Sequence, residues 1–186
     1  MTRHQNKFWH WAGIMLKKKI RFDIVTIFPK IFDSYLNESI LGRAEKRKLT
    51  EFHIHNLRDF TTDKHKAVDE KPYGGGAGMV FMALPILRAV AHIRKTYPKG
   101  AKKKIIILSA KGKQFTQKHA CEWSKKYTHI ILISGRYEGI DERVRLVLKA
   151  EEISMGPYVL TDGDVAAMAV VSAVTRLLPG AIRLES

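Results

Sequence analysis

A chain of 186 residues, 45% apolar and 27% charged, has the make-up of a globular domain with one buried core. Its apolar runs fall well short of the roughly 20 residues that cross a bilayer, so no membrane-spanning role is expected. A single cysteine, Cys121, excludes an internal disulfide and any multi-cysteine metal site. The formal net charge of +15 is concentrated: residues 61–126 carry fifteen Lys or Arg against four acids, whereas residues 127–186 are slightly acidic. That imbalance points to a polyanionic partner, most simply nucleic acid, weighed against the plainer reading of solvated loops such as Lys102-Lys103-Lys104.

Residues 1–20 read as a basic N-terminal extension outside the fold. Phe8–Leu16 is short, interrupted by His10 and followed by Lys17-Lys18-Lys19, where a secretory signal would end in small uncharged residues. Met15 has the setting of an alternative start, and a cytoplasmic protein is expected. Phe22–Phe28 alternates β-branched and aromatic residues and predicts the first strand. Pro29 opens a helix carrying Ile31, Phe32, Tyr35 and Leu36 at helical spacing, and a second helical piece covers residues 40–48. Glu51–His55 predicts a strand that places His53 and His55 on one face, a metal pair only if a third ligand existed nearby.

Residues 56–82 carry little periodicity, and a connection of that length is functional or disordered. Phe60, Tyr73, Met79 and Phe81 argue against disorder. Its Pro72–Met79 glycine cluster allows backbone to approach a ligand closely, but lacks the Gly-Lys-Ser/Thr ending of a phosphate loop.

A helix is predicted over 84–96, a buried strand over 104–108 ending in a turn at 109–112, and a helix over 114–126. Ile130–Ile133 is the next buried strand. It runs into Ser134–Arg143, a glycine-bearing stretch dense in charge, and then a short helix with Val144, Leu146, Val147 and Leu148 on one face. Ile153–Leu160 reads as extended and broken by Gly156-Pro157. Thr161 and Asp164 are spaced as a capping box before a helix over 165–178. Alternating strands and helices give an α/β domain with a mostly parallel sheet and helices on both faces. Three glycine-bearing strand ends, 109–112, 134–139 and 154–163, would then meet along one sheet edge as a pocket for a nucleotide-like ligand.

Several of these stretches, in order, resemble the motifs of the bacterial tRNA (guanine-N1)-methyltransferase family. They are Phe22–Pro29, Asn56–Asp59, Pro72–Met79, Leu108–Gly112, Gly135–Arg143 and Ile153–Leu160. The resemblance runs over residues 21–182. It implies a deep trefoil knot of the SPOUT type, which the general rarity of knots would exclude, and a homodimer with each active site at the subunit interface. It implies S-adenosylmethionine as methyl donor, tRNA as partner, and transfer to N1 of the guanosine just 3′ of the anticodon. Magnesium dependence is a further family expectation, although no metal cage is legible.

Matched by motif, Leu108, Gly135, Tyr137, Glu138, Gly139, Ser154, Met155, Gly156, Tyr158, Leu160 and Gly163 fall where the family contacts its donor. Tyr73, Gly74, Gly75 and Gly76 fall near the target guanine, as does Glu138. Arg176 matches an arginine implicated in catalysis. From the residues alone, Leu108, Met155 and Leu160 read as core and Glu138 as a helix-start acid. The sequence departs from the family at Ala110, where proline is common, and at Asp162, where glycine is usual. The family's general-base aspartate and its helical tRNA-gripping C-terminal domain lie beyond the equivalent of Ser186, so a chain of this extent is expected to bind donor and methylate poorly. A non-catalytic RNA-binding relative, or a knotted methyltransferase acting elsewhere on RNA, are the rival readings.

Overall fold

The structure, a computed structural model, describes residues 19–72, 75, 78–136 and 138–182. Its strands are β1 (Ile20–Thr26), β2 (Thr50–Asn56), β3 (Asp69–Glu70), β4 (Val80–Phe81), β5 (Lys103–Gln114), β6 (His129–Ser134) and β7 (Glu151–Ser154). Its α-helices are α1 (Asp33–Leu36), α2 (Ser39–Lys46), α3 (Ala83–Lys95), α4 (Gln117–Lys126), α5 (Glu142–Leu148) and α6 (Asp164–Thr175). Five strands form one parallel sheet in the order β2-β1-β6-β5-β7, and β3 and β4 form an antiparallel ribbon.

Alternation along the central strands divides their side chains between two cores. Ile106, Leu108, Ile130 and Leu132 face one, with residues of α1, α2, α4 and α6. Ile105, Ile107, Ile131 and Ile133 face the other, with α3 and α5. A sheet covered on both faces needs strands apolar on both faces, which is why these two isoleucine-rich runs are legible in the sequence.

The path after β5 departs from an ordinary doubly wound sheet. Leu108 and Lys113 both align with Ile153, so residues 109–112 swing around β7 and β5 resumes on the other side. Gly112 permits this: a Cβ there would meet the backbone of Glu152 and Ile153 at 2.5 Å. From β7 the chain runs back across the ends of β5 and β6. There the Gly163 amide donates to the Gly135 carbonyl at 2.9 Å and Arg136 bridges Asp162. α6 then packs against β1 and β6, two strands inward from β7. This threaded path is the knot that the resemblance implies.

Several expectations are corrected. Residues 109–112 are an excursion within a continuing strand, not a terminal turn, because β7 pairs with both arms. α4 starts at Gln117, since Gln114 still pairs with Ser154; Thr116 and His119 form its capping box. Only 151–154 of the 153–160 region is strand. Thr161 does not cap α6: Gly163 is its N-cap, and the Asp162 carboxylate accepts from the Asp164 amide at 3.0 Å. α6 ends at Thr175. In α5 only Val144 and Leu148, one turn apart, are buried, whereas Leu146 and Val147 are 60% and 64% exposed.

β1 carries one buried charge, Asp23. The Arg21 guanidinium donates to both its oxygens (2.9 and 2.7 Å), the Tyr97 hydroxyl donates at 2.7 Å, and His55 Nε2 lies 2.8 Å away. His55 is thereby committed to Asp23, while His53 faces Glu51 at 3.8 Å. Among the described residues no three potential ligands gather to hold a metal.

Burial works to raise the Asp23 carboxyl, but the bonds from His55, Arg21 and Tyr97 together outweigh it and hold the group below its usual value. A depressed folded-state value contributes stability above the unfolded value of roughly 3.9, lost as pH falls through the folded value. Asp23→Asn is therefore expected to lose about 3–5 kcal/mol in urea unfolding at pH 7. Its deficit relative to the unsubstituted chain should shrink as pH falls below about 4 and vanish below the depressed folded value, where both carry an uncharged group.

Candidate functional site

Because β5, β6 and β7 run parallel, the segments leaving their carboxyl ends emerge side by side, and the threading folds 155–163 over them. They enclose an open cavity of about 270 Å³, at the small end of ligand pockets. Leu108, Gly135, Glu138, Gly139, Ser154, Met155, Tyr158, Leu160 and Gly163 all line it. Gly156 does not line the cavity; it sits beneath Tyr158, whose ring a Cβ at position 156 would meet at 2.5 Å. Tyr137 lies outside the described residues.

The floor is set by one close approach. A Cβ on Gly163 would stand 3.0 Å from the Gly135 nitrogen and from Ser134 Cα and Oγ. Gly139 has φ +119° and open space where a Cβ would point, so its backbone is both reachable by a ligand and in a conformation that favours glycine. The Ser154 hydroxyl is buried and turned inward, donating to the Gly156 carbonyl at 2.9 Å, which shapes the turn that carries Met155 and Tyr158. Leu108 and Ile153 are core residues whose edges reach the cavity. Leu160 is 36% and Tyr158 57% exposed, which removes the core reading for Leu160.

Charge lines the rim. Lys111 reaches Glu142 (3.7 Å) and Glu152 (3.4 Å), and Arg143 donates to both oxygens of Asp141, from Nη2 at 2.6 Å. That bond holds the Asp141 carboxyl below its usual value against partial burial. Arg136 stands over the Phe28 ring at 4.8 Å. Behind the floor, Asp164 is buried with its Oδ1 unpartnered. Burial pushes its carboxyl up, although the Ser134 and Thr26 hydroxyls bond to it.

Gly78 and Met79, at the end of the 72–79 loop, meet the cavity-lining Glu138. Tyr73, Gly74 and Gly76 lie outside the described residues. Gly75 has φ +82° and donates to the Pro72 carbonyl at 3.2 Å. At the loop's end the Glu138 amide donates to the Met79 carbonyl (3.1 Å), and the Glu138 stem occupies the space a Cβ on Gly78 would need. Phe81 continues the seam, donating to the Gly139 carbonyl and accepting from the Asp141 amide, both at 3.0 Å. Glu138 is thus a loop residue between two glycine segments, outside α5. Arg176 is not in the cavity. It is exposed and follows the last residue of α6, about 20 Å along the helix axis from Gly163.

Residues that sequence reasoning did not single out also line the cavity, among them Ile140, Glu152 and Val159. Ile140 is signalled only by threading, since its bridge to Phe81 joins residues far apart in sequence. Asp162, left open between donor contact and helix cap, does line the cavity and also bonds the Asp164 amide.

The model of the tRNA (guanine-1)-methyltransferase TrmD family matches residues 20–186. A tRNA (guanine-N(1)-)-methyltransferase from Thermomicrobium roseum is 51% identical over 167 residues, covering 90% of this chain and 61% of the relative. One from Dictyoglomus turgidum is 50% identical over 163 residues, covering 88% and 64%. The crystal structure of tRNA (m1G37) methyltransferase from Aquifex aeolicus superposes with a TM-score of 0.80 at 38% identity, covering 90% of this chain and 73% of that one. The chain thus spans about three fifths of the length of these two curated relatives.

Whatever the pocket holds, Gly163 sets its floor. Gly163 has an ordinary φ of −82°, so Gly163→Ala adds contact without backbone strain, and a loss of roughly 1–3 kcal/mol in thermal or urea unfolding is expected. Gly100→Ala, at φ +84° in open space, should cost only about 1 kcal/mol, from strain alone.

Proposed function

The chain belongs to the tRNA (guanine-1)-methyltransferase TrmD family, and on that premise we propose that it provides the donor-binding and catalytic unit for methylating N1 of guanosine 37, just 3′ of the anticodon of tRNA. The observation that carries this reading is convergence. Donor-site residues assigned from separate sequence stretches, Leu108, then Gly135, Glu138 and Gly139, then Ser154, Met155, Tyr158, Leu160 and Gly163, face one cavity at the parallel strand ends.

The residues fit S-adenosylmethionine. Leu108, Ile153 and Leu160 offer apolar walls for a flat base, and Gly135, Gly139 and Gly163 line the cavity without side chains, so a ligand can approach the backbone closely there. Glu138 and Asp162 place carboxylates on the cavity wall, which suits the positive amino and sulfonium groups. When bound, the donor supplies a methyl group made electrophilic by its positive sulfur.

Guanine N1 carries a proton that must leave, so a carboxylate within hydrogen-bond reach is needed. Glu138 stands where the donor pocket meets the 72–79 loop, and we assign it to the N1–H edge of the guanine. Tyr73, Gly74, Gly75 and Gly76 are assigned to the walls around that base. An arginine near guanine O6 would stabilise the charge that develops there. Arg176 suits that role in a homodimer, where Arg176 of the partner subunit is brought to the pocket. Phe28, Ile31, Tyr35 and Val165 are all more than 40% exposed, apolar surface that a second subunit would cover.

Calorimetry with S-adenosylmethionine is expected to give one site per chain. Leu160→Asp, which puts a carboxylate against the apolar wall, should weaken binding by at least about tenfold, the scale of one lost apolar contact. Glu138→Gln, in a chain that turns over, should lower the methylation rate by roughly 10²-fold or more. Absent donor binding together with salt-dependent tRNA binding would favour a non-catalytic RNA-binding relative.

A further inference from the structure

The excess positive charge is not gathered around the pocket. Its densest part lies at the opposite pole of the sheet, where the strands begin. Residues 98–103 enter β5 there, and the Thr128 and His129 amides both donate to the Lys102 carbonyl (2.8 and 3.1 Å), tying the end of α4 to that loop. The end of α3 joins them through Tyr97, whose ring lies 4.2 Å from that of His129. Three chain segments thus bring Arg94, Lys95, Lys99, Lys102, Lys103 and Lys125 to one pole, and all six are exposed. One acid, Glu122, falls between Arg94 and Thr128 in the sequence, and it pairs with Lys126 at 3.3 Å.

Helix dipoles explain part of this, since Arg94, Lys95 and Lys125 sit in last turns where cations are favoured. They do not explain Lys99, Lys102 and Lys103, which belong to no helix and have no ion-pair partner among the described residues. We propose that this pole is an RNA-backbone docking surface, separate from the donor pocket, that grips phosphates of the substrate tRNA away from the target base. The inference rests on the tRNA reading of the pocket. The six strand residues from Lys103 to Leu108 put the pole about 17–20 Å from the cavity, the span of roughly five phosphate steps along one strand of a helix. Exposed lysines without acidic partners bind phosphates as point charges, which gives affinity and strong salt dependence but no sequence preference.

The test is a combined Lys99→Glu, Lys102→Glu and Lys103→Glu variant, with Lys→Gln at the same positions as a milder second variant. Both are titrated with tRNA carrying guanosine 3′ of the anticodon at several salt concentrations, and separately with S-adenosylmethionine by calorimetry. The charge-reversal variant is expected to bind tRNA at least about tenfold more weakly at 150 mM salt, with a salt slope flatter by about 2–3 units. The Gln variant should fall between, and both should keep the unsubstituted chain's donor affinity. Unchanged tRNA affinity and slope, or no tRNA binding by the unsubstituted chain, overturns the proposal. Loss of donor binding in the unsubstituted chain counts instead against the methyltransferase reading, so the two failures are told apart.

Discussion

The close approach of Gly163 to Ser134 and Gly135 is the contact on which the site depends. A Cβ at Gly163 would stand 3.0 Å from the neighbouring backbone, and the Gly163 amide already donates to the Gly135 carbonyl. This contact joins β6 to the segment entering α6, two pieces that the sheet order alone would leave apart, since β5 lies between β6 and β7. Once it is made, 155–163 must cross over the strand ends, and the cavity is what remains beneath that crossing. Packing of α6 on the first core, through Val170, Val171 and Val174, all fully buried, holds the crossing in place. Site geometry and core stability are therefore coupled: a change that loosens α6 also opens the pocket.

The same threading couples the two halves of the site. The end of the 72–79 loop hydrogen-bonds directly to 138–141, through Met79 to Glu138 and Phe81 to Gly139 and Asp141. Glu138 belongs to both loops at once, with its backbone in the donor stretch and its stem filling the gap at Gly78. Its position is therefore set from both loops, by the backbone bond to Met79 and by packing at Gly78. Opposite this end of the sheet, unpaired lysines project from the strand starts. Chemistry and long-range charge are thus separated along the strand direction, the first in the glycine segments and the second where geometry is less demanding.

Much of the fold is legible in the sequence because the strands are apolar on both faces. Ile105–Leu108 and Ile130–Ile133 announce themselves as buried, and the stretch 84–96 announces α3, although the face it buries is that of Ile86, Ala89, Val90 and Ile93. The threading is not legible, because no local pattern encodes it. Leu108-Ser109-Ala110-Lys111-Gly112 looks like a strand reaching a turn, and only the presence of β7 between its arms reveals a strand that continues. The Thr161–Asp164 spacing similarly suggests a box that the structure replaces with an Asp162 cap, because Thr161 is drawn out toward the cavity. Among the cavity-lining residues, the glycines are legible through turn chemistry, and Met155, Tyr158 and Leu160 through resemblance. Ile140 and Glu152 are not, since they reach the cavity only when distant strands align. Arg176 is matched by motif but lies about a helix length from the cavity.

The central claim is that the three strand-end segments, drawn together by the threaded crossing, form a single donor site. A crystal structure of the chain grown with S-adenosylhomocysteine, the demethylated form of the donor, tests it most directly. The account predicts density for the ligand between Leu108, Gly135 to Gly139 and Ser154 to Gly163, with its base against Leu108 and Leu160. Ligand bound outside that cavity, or none at saturating concentration with the crossing intact, would contradict it.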